Sequence, residues 1–421
     1  MHKQDILKNG LRIAIQPMSH MESVALGVWL RAGGRYEDTA NNGISHLLEH
    51  LLFKGTLTRD MAAIKQEIEG RGGSFNGFTS EEYTCYLVKL LAKDIELGID
   101  ILSDMVLNPK LDQAEVDKEK SVIIEEINMY KDIPAQHVHE ILTEMLWPGQ
   151  PLGMPLAGSV ESVKALTRKD VVAYKEAHYT PANMLLIGAG KAKEEDLAPL
   201  AEKYFSSIPM GAPSAYVKSC VTQKERALKV HTKQTEQTHV AIGFHTRDRF
   251  SPDRYALSLL NIILGANMSS RLFHIVRDEM ALCYEISSSV RKHEDTGAFI
   301  VSAGVDTAKA PQAFEVIFRI LAQMKKKAVA KEELHRAKEY FKGQFLFALE
   351  DTMSYMLWLG EKMAAGEKEY NVKKIVERIE AVDGDVILRV ARDILRDDRL
   401  NVALIGPLKE DKALQEVAHI S

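Results

Sequence analysis

Two stretches of the chain, ANMLLIGAG at 182–190 and RLNVALIGP at 399–407, close two runs of elements that follow the same order. In the first run, GLRIAIQP and SVALGVWLRAGGRYED read as short alternating strands, with Val24, Leu26, Val28 and Leu30 on one face. A helix over 44–54 follows, with Asn42 or Gly43 as its cap, then a helix after Thr58 and strands in GGSFNGFTSEEYTCYLVKL. Helices are expected over 92–107 and 113–131, and a helical region near 159–177. The strand NMLLIGAG and a helix in KEEDLAPLAEKYFSSI complete the run. The second run has a strand in THVAIGFHT, a buried helix in DRYALSLLNIILG, strands in CYEISSSV and GAFIVSAGV, helices over 308–327 and 331–349, and a last strand.

A chain of 421 residues exceeds one ordinary core. The repeated order predicts an α+β protein of two similar domains, each a mostly antiparallel sheet packed against helices. PMGAPS at 209–214 punctuates the chain between them. The expected division is 1–210, a linker over 211–224, and 225–421.

Composition narrows the function classes. A net charge of −5 gives no support for nucleic-acid binding, and no apolar run reaches the roughly 20 residues of a membrane helix. The N-terminal segment MHKQDILKNG has no apolar h-region, and Cys85, Cys220 and Cys283 are sparse and odd in number. Reduced thiols and a cytoplasmic location are expected. IGAGKAKEED lacks the glycines of a nucleotide-binding loop, and the segment carrying His137 and His139 is expected to be a solvated helix.

The helix over 44–54 poses a chemical problem. Ile44, Leu47, Leu48, Leu51 and Leu52 cover most of its circumference, which marks it as buried. Yet it also carries His46, Glu49 and His50, with the two histidines one turn apart on one face. Buried ionisable groups are costly unless they are paired or coordinate a metal. HLLEH is H-x-x-E-H, whose i, i+4 histidines can reach one metal while the glutamate between them acts as a base. The bland alternative is three core groups paired with one another.

A third ligand is available from the helix over 113–131. Val116, Ile123, Ile127 and Tyr130 form its apolar stripe, and Glu119 and Glu126 fall within that stripe, whereas Glu125 points about 100° away from Glu126. Two carboxylates on a core-facing stripe are uncommon, and a metal explains them together with the buried histidines. In the second run the slot of HLLEH is taken by LLNII, so only the first run carries the cluster.

H-x-x-E-H followed 76 residues after His50 by Glu126, with Glu119 seven residues before it in EKSVIIEEI, resembles the pitrilysin/insulinase family. The resemblance is to the branch like the mitochondrial processing peptidases. FNGFTSEEYTCY is similar to the family's substrate-binding edge strand, with Gly77 in place of the usual alanine. PLGMPLAGS and EQTHVAIGF match other family blocks, and Arg277 and Tyr284 stand in its R-x6-Y spacing.

The resemblance implies a zinc endopeptidase acting on short unfolded peptides. Its zinc would be held by His46, His50 and Glu126, with Glu49 as base and Glu119 orienting a ligand. Arg277 and Tyr284 would bind the substrate backbone and polarise the scissile carbonyl. Ser74, Phe75, Asn76, Gly77 and Phe78 would pair with an extended peptide. It further implies that the two domains form one half of a clam-like chamber; because one chain carries both the zinc site and Arg277 with Tyr284, a homodimer is expected. The family also contains members without catalysis, so a structural or peptide-binding subunit is the alternative; such members typically lack the zinc ligands or the base.

Overall fold

In the computed structural model, which describes residues 3–408, 419 and 420, the strands are Lys3–Ile6 (β1), Arg12–Pro17 (β2), Ser23–Leu30 (β3), Ser74–Thr79 (β4), Thr84–Leu91 (β5), Met184–Gly190 (β6), Ala227–Thr232 (β7), Gln237–Thr246 (β8), Cys283–Lys292 (β9), Gly297–Asp306 (β10) and Leu400–Gly406 (β11). The helices of the first half are Ile44–Leu52 (α1), Met61–Glu69 (α2), Ile95–Leu107 (α3), Gln113–Asp132 (α4), Pro134–Leu146 (α5), Val160–Ala165 (α6), Arg168–His178 (α7) and Glu194–Phe205 (α8). Those of the second are Arg254–Leu264 (α9), Ala310–Lys326 (α10), Lys331–Ala348 (α11), Thr352–Ala364 (α12), Val372–Glu380 (α13) and Gly384–Ile394 (α14).

The strands form two sheets, ordered β1-β2-β6-β3-β5-β4 and β7-β11-β8-β10-β9. Their topologies repeat. In each, one pair is parallel (β2 with β6, β7 with β11) and the remaining ladders shared by the two sheets are antiparallel. The repeat extends to side chains: VALG in β3 (24–27) answers VAIG in β8 (240–243). The two α+β sets expected from the order of elements are present.

One face of the first sheet packs on α1, α3 and α8 through Val24, Leu26, Val28, Leu48, Leu102 and Leu197. Its opposite face is also buried, because Met356, Leu359 and Met363 of α12 cover Ala25, Trp29, Leu185 and Ile187. Gly27 permits that approach: a Cβ there would lie 2.6 Å from Met356 Sδ. In the second sheet the same service comes from α5, whose Val138, Ile141, Leu142 and Leu146 cover Ala241, Ala298, Ile300 and Ala403. Gly243, the counterpart of Gly27, would place a Cβ 2.9 Å from Leu142 Cδ1.

The compact units are therefore discontinuous. One holds residues to 127 with 154–217 and 346–371; the other holds 128–153, 218–345 and the residues from 372 on. Each takes a covering helix from the opposite half of the chain, across the expected division at 211–224. The expectation of a solvated helix around His137 and His139 is corrected: α5 is amphipathic and buries one face on a sheet. The expected helical region near 159–177 is two helices. Ser159 and Thr167 each open one with a capping box, and Leu166 between them leaves the helical backbone.

Cys85, Cys220 and Cys283 are all unpaired thiols. Among the described residues no helix is long and apolar enough to cross a membrane.

The helix-covered face of the second sheet carries a buried imidazole. His245 is 4% exposed, its ring lies 6.0 Å from that of Trp147, and its Nδ1 has no hydrogen-bond partner among the described residues. Burial, then the nearby Arg399, hold its pKa down to about 4. Because the folded value lies below the ordinary 6.5, the neutral ring's contribution is complete above pH 6.5 and is lost as pH falls through about 4. Denaturant titrations from pH 7 to 4 should show up to about 3 kcal/mol lost from this group, and His245→Phe should flatten that limb. An unchanged acid limb in the variant would contradict the assignment.

Candidate metal centre

α1 is held at its first turn by a residue that periodicity does not reveal. Glu37, buried and six residues before the N-cap position Gly43, accepts backbone N–H groups from Gly43 at 2.8 Å and Ser45 at 2.9 Å. It also accepts the Asn42 side-chain amide at 3.1 Å. Burial pushes the Glu37 pKa up, and these donors oppose that shift. A carboxylate at a helix N-terminus satisfies otherwise orphaned donors and complements the helix dipole. Of the two caps expected from sequence, Gly43 occupies the N-cap position and Asn42 does not. Gly43 offers no side chain, and the Asn42 amide donates to Glu37 and to the Pro155 carbonyl.

With α1 fixed, His46 and His50 stand side by side, ring centroids 4.6 Å apart. α4 brings Glu126 to them. Its Oε2 lies 3.8 Å from His46 Nε2 and 3.8 Å from His50 Nε2. One ligand atom from each of the three falls within 4.8 Å of the others. These separations are too long for hydrogen bonds, so the groups do not satisfy one another directly. They approach the roughly 3.4 Å edge of a tetrahedron with bonds of about 2.1 Å, the geometry of zinc with nitrogen and oxygen donors. All three side chains keep partial exposure, at 13%, 23% and 22%. Burial, followed by repulsion from His50 and offset by Glu126, lowers the His46 pKa to about 4 and keeps the ring neutral. Two imidazoles and a carboxyl group form a donor set that suits zinc.

Glu119 is 1% exposed and faces the same helix. Its Oε2 lies 3.2 Å from His50 Nδ1, and its Oε1 lies 2.8 Å from Lys54 Nζ. A proton on His50 Nδ1 shared with Glu119 leaves the Nε2 lone pair towards Glu126 and His46. Lys54 is the partner that the sequence reading missed. It is adjacent to the motif, but only the fold brings α4 against it.

Glu49 turns the other way, towards the sheet edge, and accepts the Thr79 hydroxyl at 2.9 Å. Burial raises its pKa and Glu126 adds to the shift, while Thr79 and His50 oppose it. Glu49 therefore sits between the three candidate donors and β4. That strand ends the sheet order and, among the described residues, pairs only with β5, through Ser74↔Lys89, Asn76↔Leu87 and Phe78↔Cys85. Ser74 and Asn76 are exposed, Phe75 packs on Phe53, and Phe78 packs on Trp29. A Cβ at Gly77 would meet the Phe53 ring at 2.9 Å and Glu49 Oε1 at 3.2 Å, so glycine gives Glu49 its room.

Arg277 and Tyr284 lie in the second unit. A π-helical turn, Phe273–Glu279, presents Arg277, and Ala281 at φ 50 turns the chain into β9. The guanidinium carbon is 4.4 Å from the Phe273 ring centroid and 5.3 Å from that of Tyr284. Tyr284 is 76% exposed. The rings hold the guanidinium by its face, and no ion pair or hydrogen bond of the Arg277 side chain is present among the described residues.

Comparison with known proteins follows this geometry. Residues 12–160 match the family described as insulinase (peptidase family M16), and residues 165–341 match the peptidase M16 inactive domain. The chain is 33% identical over 407 residues to the "uncharacterized zinc protease YmxG" of Bacillus subtilis, covering 97% of this chain and 98% of that protein. It is 30% identical to the mitochondrial-processing peptidase subunit beta of Lentinula edodes, covering 95% and 89%. A protease of Helicobacter pylori shares the fold, with a TM-score of 0.91 at 22% identity over 97% of this chain and 99% of that one.

The position of Glu37 makes a direct test possible. Glu37→Ala removes the acceptor for two backbone donors and should cost about 2–3 kcal/mol of stability, together with weakened metal binding. Chemical denaturation and metal titration of the variant check both effects. Wild-type stability would show that α1 is fixed by other means.

Proposed function

The chain belongs to the insulinase family of peptidases, M16, and from that premise we propose that it is a zinc-dependent endopeptidase acting on short unfolded peptides. The convergence of His46, His50 and Glu126 beside Glu49 carries the reading. Zinc bound by the three donors would supply Lewis-acid activation of water and of the scissile carbonyl. Glu49 is the general base and later returns the proton to the leaving amine. Its contact with Thr79 on β4 aims it at the strand to which substrate would add. Glu119 orients His50.

An extended peptide pairs with the outer row of β4 over residues 74–78, using main-chain hydrogen bonds that ignore most side chains. Loose sequence preference and a requirement for unfolded substrate follow. Arg277 and Tyr284 bind the substrate backbone and donate to the carbonyl as charge develops there, the role the family resemblance gives them. The intact donor set and base favour catalysis over a purely structural subunit. We place the protein in the cytoplasm and read it as a homodimer, since two-fold closure is the commonest way identical chains associate.

Glu49→Gln should retain zinc and lose at least about 100-fold in peptide turnover. His46→Ala or Glu126→Gln should instead lower metal content. Metal analysis alongside cleavage of an unstructured reporter peptide separates the two classes; normal turnover by Glu49→Gln would sink the assignment.

The assembly is tested by mass and by mixing. Light scattering should give twice the chain mass. Mixing inactive Glu49→Gln chains with inactive Tyr284→Phe chains should restore nothing if each chain uses its own pair. Recovered activity would mean that Tyr284 acts on the partner's substrate, and a fully active monomer would refute the dimer.

A further inference from the structure

We propose that Lys54 is a positioning residue for the metal: it fixes Glu119, which in turn fixes the ring of His50. The inference rests on the reading that His46, His50 and Glu126 hold a metal, and extends it to a residue outside the H-x-x-E-H motif and its paired glutamates.

A carboxylate 1% exposed is costly without a cation against it. Glu119 meets two basic side chains, one at each oxygen. Lys54 Nζ stands 2.8 Å from Oε1, and His50 Nδ1 stands 3.2 Å from Oε2. The division matters. With Oε1 in an ion pair with the ammonium, close but not aligned as a hydrogen bond, Oε2 remains directed at Nδ1, and a proton shared there leaves the Nε2 lone pair on the side of Glu126, 3.8 Å away. His46 shows the contrast, since its Nδ1 is buried and has no hydrogen-bond partner among the described residues. Of the two rings, only His50 has such a tether.

The helix supplies the placement. Phe53 is the C-cap of α1, and Lys54 follows it, with its backbone N–H donating to the Leu51 carbonyl at 3.1 Å. A cation is favoured at this end of a helix, so Lys54 complements the dipole from the terminus opposite Glu37. Its stem need only cross from the end of α1 to the facing turn of α4. The side chain is 24% exposed, so the ammonium retains part of its hydration while partnering a buried oxygen.

The test measures zinc affinity of the full-length protein by competition with a chromophoric chelator, without reference to turnover. Lys54→Met should weaken zinc binding about 10-fold or more, the range seen when a group behind a metal ligand is removed. Lys54→Arg, which keeps the charge, should recover most of the loss. In a Glu119→Gln background, Lys54→Met should change affinity less than about 2-fold, because a residue acting through Glu119 has nothing left to position. Cobalt substitution gives a second readout: the visible absorption of the bound ion should change in Lys54→Met and return in Lys54→Arg.

Unchanged affinity in Lys54→Met, or a full loss that persists in the Glu119→Gln background, overturns the inference. Should Lys54→Met fail to fold, Lys54→Gln, a neutral donor, is measured in its place with the same two outcomes. A wild-type protein that takes up no zinc would overturn the metal reading itself, and that failure is distinguishable from the others.

Discussion

Ionisable groups on a core helix must each find a partner on another element, and this requirement organises the first unit. α1 is enclosed by leucines and isoleucines, and most of the ionisable groups on or near it are answered from other elements. Glu37 meets its first backbone donors, Thr79 meets Glu49, and Glu119 stands between His50 and Lys54. Glu126 faces both histidines at a distance that leaves room for an ion. The centre is a balance in which burial sharpens every interaction and also makes any unpaired group expensive.

The second unit shows the same scaffold without that demand. Its sheet repeats the first in order and direction, and VAIG stands where VALG stands in β3. In the helix in the place of α1, the slot of HLLEH holds LLNII, which has no ionisable group. The arginine and tyrosine of the family's R-x6-Y spacing lie at the edge of its sheet. There a π-helical turn and a left-handed Ala281 bring Arg277 beneath the ring of Tyr284. Distortions of this kind are frequent at functional sites, because an extra residue in a helical turn redirects one side chain without unravelling the element.

Much of this was legible from local pattern. The i, i+4 histidines need only helical periodicity, and Glu119 and Glu126 declared themselves by occupying an apolar stripe. The position of β4 at the sheet edge followed from its family resemblance and is matched by the strand order. What escaped were partnerships set by tertiary contact. Glu37 lies in a loop with no periodic signal, and nothing in FKGT says that Lys54 meets a helix some 60 residues away. The covering roles of α5 and α12 were equally hidden. An apolar helical face announces that it will be buried, but not which sheet will bury it, and here each covers the sheet of the other half.

The central claim is that two helices bring two imidazoles and one carboxylate onto a single ion. X-ray absorption at the zinc edge of the full-length, zinc-loaded protein addresses that claim without an assay of activity. About one zinc per chain is expected, with a first shell of nitrogen and oxygen at about 2.0–2.1 Å, two imidazole contributions and no sulfur. Thiolate scattering near 2.3 Å, or a shell that is unaltered when His46 and Glu126 are both replaced by alanine, would contradict it.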